Sequence, residues 1–106
     1  ISKGDSVLDM LAVPIEFSLM QNYPNPFNPS TKIRFDLPID SFVSLIVYDI
    51  NGRVINQLVD DILKAGSHSV TWHGKRSNGL DLSSGLYFYK IEAAGYSKTF
   101  KMVFVK

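Results

Sequence analysis

Three observations predict an all-β fold. Apolar and polar residues alternate with period two over several runs, turn signals built on Gly and Asn separate those runs, and no helical period is sustained. The run Thr31-Lys32-Ile33-Arg34-Phe35-Asp36-Leu37 is the clearest of these. Ile33, Phe35 and Leu37 point one way while Lys32, Arg34 and Asp36 point the other, as in a strand with one wet face.

Taken in order, residues 1–16 mix small, polar and apolar side chains without a period, and Pro14 interrupts Val7–Leu11, the one segment that could start a helix; they read as linker. Residues 17–106 read as the domain. Phe17-Ser18-Leu19-Met20 is apolar enough for an edge strand. Tyr23-Pro24-Asn25-Pro26-Phe27-Asn28-Pro29-Ser30-Thr31 follows, and its three prolines remove backbone donors and fix φ, so it is neither helix nor central strand but an ordered, extended entrance. Phe42 to Asp49 places Val43, Leu45 and Val47 on one face. Asn51-Gly52 predicts a two-residue type I′ turn, with Arg53 to Val59 returning as hairpin partner. Asp60 to Gly66 reads as a connection. His68, Val70 and Trp72 then share a strand face, with Trp72 central to the core, and Gly74 to Gly79 reads as a polar turn. Leu80–Leu82 is a candidate short strand. Leu86 to Ala93 puts Tyr87, Tyr89 and Ile91 on one face, turns at Ala94-Gly95 and returns through Ser97 to Val105. About seven short strands at regular spacing fit an immunoglobulin-like antiparallel β-sandwich.

Composition fits one such domain. A chain of 106 residues hides roughly 60–70% of the surface its unfolded form exposes. Its 45% hydrophobic and 20% charged residues argue against disorder, and apolar runs such as Leu45-Ile46-Val47-Tyr48 are too short to cross a bilayer. A net charge of +1 with no basic stripe gives nucleic-acid binding little support. Absence of cysteine removes disulfides, thiolate metal sites and cysteine nucleophiles. The chain starts at Ile1 without initiator Met or signal peptide, so it reads as a piece of a longer protein, with Lys106 the expected natural C-terminus.

Side chains that suggest chemistry have structural readings beside them. His68 and His73, five apart on one strand, face opposite sides of the sheet and cannot jointly hold a metal. Asp60-Asp61 is the one acidic doublet; without an Asp-x-Asp-x-Asp-Gly loop around it, a calcium site there stays an open question. Ser83-Ser84-Gly85 lacks the Gly-x-Ser-x-Gly elbow and reads as a turn. No nucleophile, base and oxyanion donor assemble, so no enzyme and no cofactor are expected. Aromatics at 12% could stack on sugar rings, with Phe88 or Tyr96 as the platform, although a sandwich core needs most of them. Lys98, Lys101 and Lys106 give the final strand a cationic face that protects an edge or meets acidic groups of a receptor.

Three separated blocks resemble the C-terminal sorting domain of the type IX (Por) secretion system, type A. Tyr23-Pro24-Asn25-Pro26 matches its opening motif. Gly52-Arg53-Val54, after Val47-Tyr48-Asp49, is similar to its central Gly-Arg-x-Val block, and Gly85-Leu86-Tyr87 with Lys101-Met102-Val103 to its Gly-x-Tyr and basic last strand. The resemblance implies a non-catalytic address on an exported Gram-negative cargo, in the periplasm in transit and then secreted or at the cell surface. Its implied partners are the outer-membrane secretion machinery, its sorting protease and an upstream cargo domain, with recognition carried by Pro24, Asn25, Pro26, Gly52, Arg53, Val54, Gly85, Tyr87, Lys101 and Lys106, and cleavage near residues 1–22.

Val47-Tyr48-Asp49, Gly52-Arg53, Ala65-Gly66-x-His68, Trp72-x-Gly74, Asn78-Gly79 and Ser84-Gly85-Leu86-Tyr87 also resemble the immunoglobulin-like domain of flagellar hook-capping proteins. There Asp or Asn commonly stands where this chain has His73. That family implies a structural module, and an accessory carbohydrate-binding module is a third expectation.

Overall fold

The computed structural model describes residues 13–106. Most of the expected linker, including Val7–Leu11, lies outside the described residues. Among the described residues there are seven strands: β1 (Ser18–Leu19), β2 (Thr31–Leu37), β3 (Ser41–Tyr48), β4 (Val54–Leu63), β5 (Gly66–Trp72), β6 (Gly85–Ala93) and β7 (Tyr96–Phe104). They form two antiparallel sheets, β1-β2-β5 and β4-β3-β6-β7. This is the all-β, immunoglobulin-like sandwich that the alternation predicts.

Alternation decides the core. Ile33, Phe35 and Leu37 of β2 face Val43, Leu45 and Val47 of β3 and Tyr87, Tyr89 and Ile91 of β6, all buried, with Trp72, Met102 and Phe104 joining them. Each aliphatic side chain so buried contributes about 1.5–3 kcal/mol of transfer free energy. Outward residues differ between the sheets. β2 and β5 show Lys32, Arg34, Ser67, Ser69 and Thr71, whereas β3, β4 and β6 expose Phe42, Val54, Ile62 and Leu86.

Several local expectations need correction. Asp60 to Gly66 is not a connection: β4 continues to Leu63, and only Lys64 and Ala65 link it to β5. A register shift after Leu45/Ile46 skips Leu58, so the alternation slips while pairing with β3 persists, and Asp60 and Asp61 lie opposite Ser44 and Val43 on an edge where charge is tolerated. At Asn51-Gly52, Gly52 has φ +79° but Asn51 is not left-handed. The Gly52 N–H donates to Asp49 O at 3.0 Å, and the Asp49 carboxylate accepts from Asn51 N and Arg53 N. The Asp49 side chain thus stabilises a three-residue loop ending in a left-handed glycine, in place of the type I′ turn. Type I′ geometry occurs instead at Ala94-Gly95, where φ is +47° and +85°. Leu80–Leu82 is no strand. A single bridge, Lys75 to Asp81, holds that segment and Leu82 drops into the core. The Phe17–Met20 edge strand shortens to the two residues of β1.

Candidate functional site

The proline-rich entrance is held by its neighbours at nearly every step. Tyr89 is fully buried on β6, and its hydroxyl donates to Met20 O and accepts from Asn22 N, each at 2.7 Å. A phenol pointing into a core needs such partners, and burial pushes its pKa up to about 12. The buried Asn22 amide donates to Pro24 O and Thr31 Oγ1, and Thr31 Oγ1 donates to Pro24 O, closing the base of the loop. Tyr23 and Lys32 exchange main-chain hydrogen bonds at 2.9–3.0 Å. The peptide bonds before Pro24, Pro26 and Pro29 are cis. Phe27, 1% exposed, inserts between Trp72 and Phe104 with ring centroids 5.6 and 5.0 Å away.

This entrance meets the end of the chain. Val103 O accepts from Phe27 N, Val105 N donates to Phe27 O, and Val103 N donates to Asn25 Oδ1 at 2.9 Å. Gln21 Nε2 donates to Lys101 O. Outward main-chain groups at 101, 103 and 105 on the β7 edge are therefore engaged by residues 21–27. Pro24, Asn25, Pro26, Lys101 and Lys106 are exposed around this junction.

Gly52 and Arg53 come together with Gly85 and Tyr87 at the same end of the sandwich. Asp49, Arg53, Arg76, Ser83, Ser84 and Tyr87 line a cleft of about 270 Å³ there. Arg53 pairs with Asp49 at 3.0 Å, and the Arg53 N–H first, with Asn51 N and the guanidinium, holds the Asp49 carboxyl below its usual range. Tyr87 is buried, its hydroxyl donates to Ser83 O, and it forms part of the cleft wall. Lys106 N donates to Ser84 Oγ, tying the last residue to the β6 entrance. Val54 stands apart on the outer sheet face.

The remaining candidates do not converge. His68 stacks on Phe35 at 5.4 Å and its Nε2 lies 2.7 Å from Lys64 O, while His73 is exposed past the end of β5. Among the described residues no three His, Asp or Glu side chains are grouped to hold a metal. Phe88 is half-buried on the outer face, in a depression of about 230 Å³ with Tyr48 and Lys90, whereas Tyr96 stacks on Phe17 at 5.5 Å on the other face. They form no common sugar platform. Asn22, Phe27 and the Tyr89 hydroxyl were not expected as organisers of the entrance; a phenol at an inward position and a lone aromatic between prolines were the available signals.

Residues 25–97 match the family described as the FlgD Ig-like domain. The basal-body rod modification protein FlgD of Salmonella typhimurium is 34% identical over 62 residues, 58% of this chain and 26% of that protein. The chain thus spans about a quarter of the length of the curated relatives it matches. A solved FlgD structure from P. aeruginosa is 32% identical, with TM-score 0.55 over 70% of this chain and 58% of that one. Dimeric latent PorU from Porphyromonas gingivalis shares the fold at 20% identity, with TM-score 0.68 over 85% of this chain and 9% of that one. PorZ of that organism, described as a surface component of its type IX secretion system, superposes at 20% identity and TM-score 0.57 over 99% of this chain and 13% of that one. With two thirds of its length matched and the same two-sheet architecture, the chain belongs to the FlgD Ig-like domain family.

Proposed function

We propose that this domain is a non-catalytic C-terminal address, of the type A sorting class, by which an exported cargo is recognised by the type IX outer-membrane machinery. One observation carries the reading: the proline-rich entrance is joined to the last strand along the β7 edge, with Gln21 bonded to Lys101 O, Asn25 capping Val103 and Phe27 pairing with Val103 and Val105. A stiff entrance fixed to a cationic last strand forms one preorganised surface, and preorganisation lowers the ordering cost of binding. Strand addition at the β7 edge is a further route by which the machinery would engage this surface. Fold likeness to PorU and PorZ supports the setting. In this reading the recognition residues are Pro24, Asn25, Pro26, Gly52, Arg53, Val54, Gly85, Tyr87, Lys101 and Lys106, the domain spans 17–106 after a linker, and its route is periplasm to cell surface.

Fusing the 106-residue chain behind a periplasmic reporter in a type IX host tests this. The reporter is expected outside the cell, and an Asn25→Ala, Lys101→Glu double variant is expected to remain periplasmic. Retention of the unsubstituted fusion rejects the reading. A second reading, a structural module of flagellar hook-capping type, draws on the 34% identity to FlgD; binding to hook protein by a chain that is not exported would favour it.

A further inference from the structure

A second surface lies outside both readings, on the wet face of the three-stranded sheet. Met20, Gln21, Tyr23, Lys32 and Arg34 line a cleft of about 410 Å³. Lys32 and Arg34, two apart on β2, both project outward into it. Among the described residues neither is in an ion pair; the cations that are paired are Arg53, Lys64, Lys75 and Lys90. The next outward residue on β2, Asp36, is occupied by the hydroxyls of Ser18 at 3.1 Å and Ser67 at 2.8 Å. Two cations that no described carboxylate pairs with, side by side in a concavity, suit one anionic group.

Tyr23 completes the cleft. The residue is 81% exposed although its backbone is locked to Lys32, so an aromatic side chain is presented at little entropic cost. Gln21 Nε2 is committed to Asn22 Oδ1 and Lys101 O, which leaves its Oε1 as an acceptor for a hydroxyl. The main chain around the cleft is already paired: Met20 N to Arg34 O, Met20 O with the Tyr89 hydroxyl, and Tyr23 with Lys32 in both directions. A peptide would find no free strand edge here, and two cations beside one ring are too few for a nucleic-acid track. We propose that this cleft binds an anionic saccharide, its sugar ring against Tyr23, a hydroxyl on Gln21 Oε1, and its phosphate or carboxylate between Lys32 Nζ and the Arg34 guanidinium. The site is independent of the sorting reading.

Titration of the isotope-labelled 106-residue chain with mannose 1-phosphate, mannose and inorganic phosphate tests it by amide chemical-shift changes. Mannose 1-phosphate is expected to shift Tyr23, Lys32 and Arg34 and to bind about fivefold or more tightly than either fragment, because ring and charge act together. Tyr23→Ala should reduce it to the affinity of inorganic phosphate, Tyr23→Phe should restore the advantage, and Lys32→Gln or Arg34→Gln should remove binding. Trp72 fluorescence monitors folding of each variant. Equal affinity for inorganic phosphate, equal or tighter binding of a phosphoserine peptide, or shifts elsewhere in the unsubstituted chain would each overturn the proposal.

Discussion

Tyr89 shows how much one polar atom can organise. Its ring lies in the inner layer as the alternation of β6 requires, and its hydroxyl reaches the entrance to hold Met20 and Asn22. Replacement by Phe would leave the Met20 carbonyl and Asn22 N–H unpaired, at a cost of about 1–3 kcal/mol by urea unfolding at pH 7. The ionisation sign follows from the pKa. An unfolded tyrosine loses its proton near 10.0, whereas the native one holds it to about 12, so the unfolded chain carries fewer protons between these values. The contribution of Tyr89 to stability should be level below pH 10 and fall by roughly 2–3 kcal/mol as pH rises through this window. Tyr89→Phe should flatten that decline; an unchanged slope in the variant would assign it to other groups. Gly74 is a second residue with a defined constraint: at φ +67° an added Cβ would stand 3.0 Å from the Phe104 ring, so a glycine is needed where the chain leaves β5.

Among elements, the hairpins separate turn chemistry from turn position. The β3–β4 reversal occurs at the expected Asn-Gly, but Asp49 accepts three hydrogen bonds from the loop and selects a longer turn. The β6–β7 hairpin takes the two-residue form with Ala94 left-handed, a conformation alanine adopts at a cost. Ala94→Asn is expected to stabilise the domain by about 0.5–1 kcal/mol, read as a raised thermal midpoint. A lowered midpoint would show that the Ala94 methyl makes a packing contribution larger than the strain. β4 teaches the complementary lesson. Its charges mark an edge, not an end, because a bulge keeps the ladder going while the side-chain pattern slips.

For the whole molecule, the two sheets are bound into one unit by the core their strands share and by Phe27 of the entrance. Trp72 of β5 meets Tyr87 of β6 at 6.1 Å and Phe27 of the entrance at 5.6 Å, and its Nε1 donates to Lys75 O. As the one tryptophan, it reports on both layers. Unfolding followed by Trp72 fluorescence and by far-UV circular dichroism should coincide, as for a two-state domain. Phe27→Ala should move both curves together by about 3–5 kcal/mol. A fluorescence transition preceding the other would mean that the entrance and the Trp72 region open separately from the sheets.

Period-two alternation, the glycine turns and the proline run were enough to place β2, β3, β5, β6 and β7, the inward residues of β2, β3 and β6, and an entrance outside any ladder, because these depend on steric and solvation preferences within a few residues. The motif blocks could be read one by one, but not their grouping. That Asn25 caps Val103, that Gln21 bonds Lys101 and that Arg53 shares a cleft with Ser84 were decided by contacts between residues far apart in the chain, 78 and 80 positions in the first two cases. Such pairings arise only when two layers close on a shared core, and no local pattern encodes their distance.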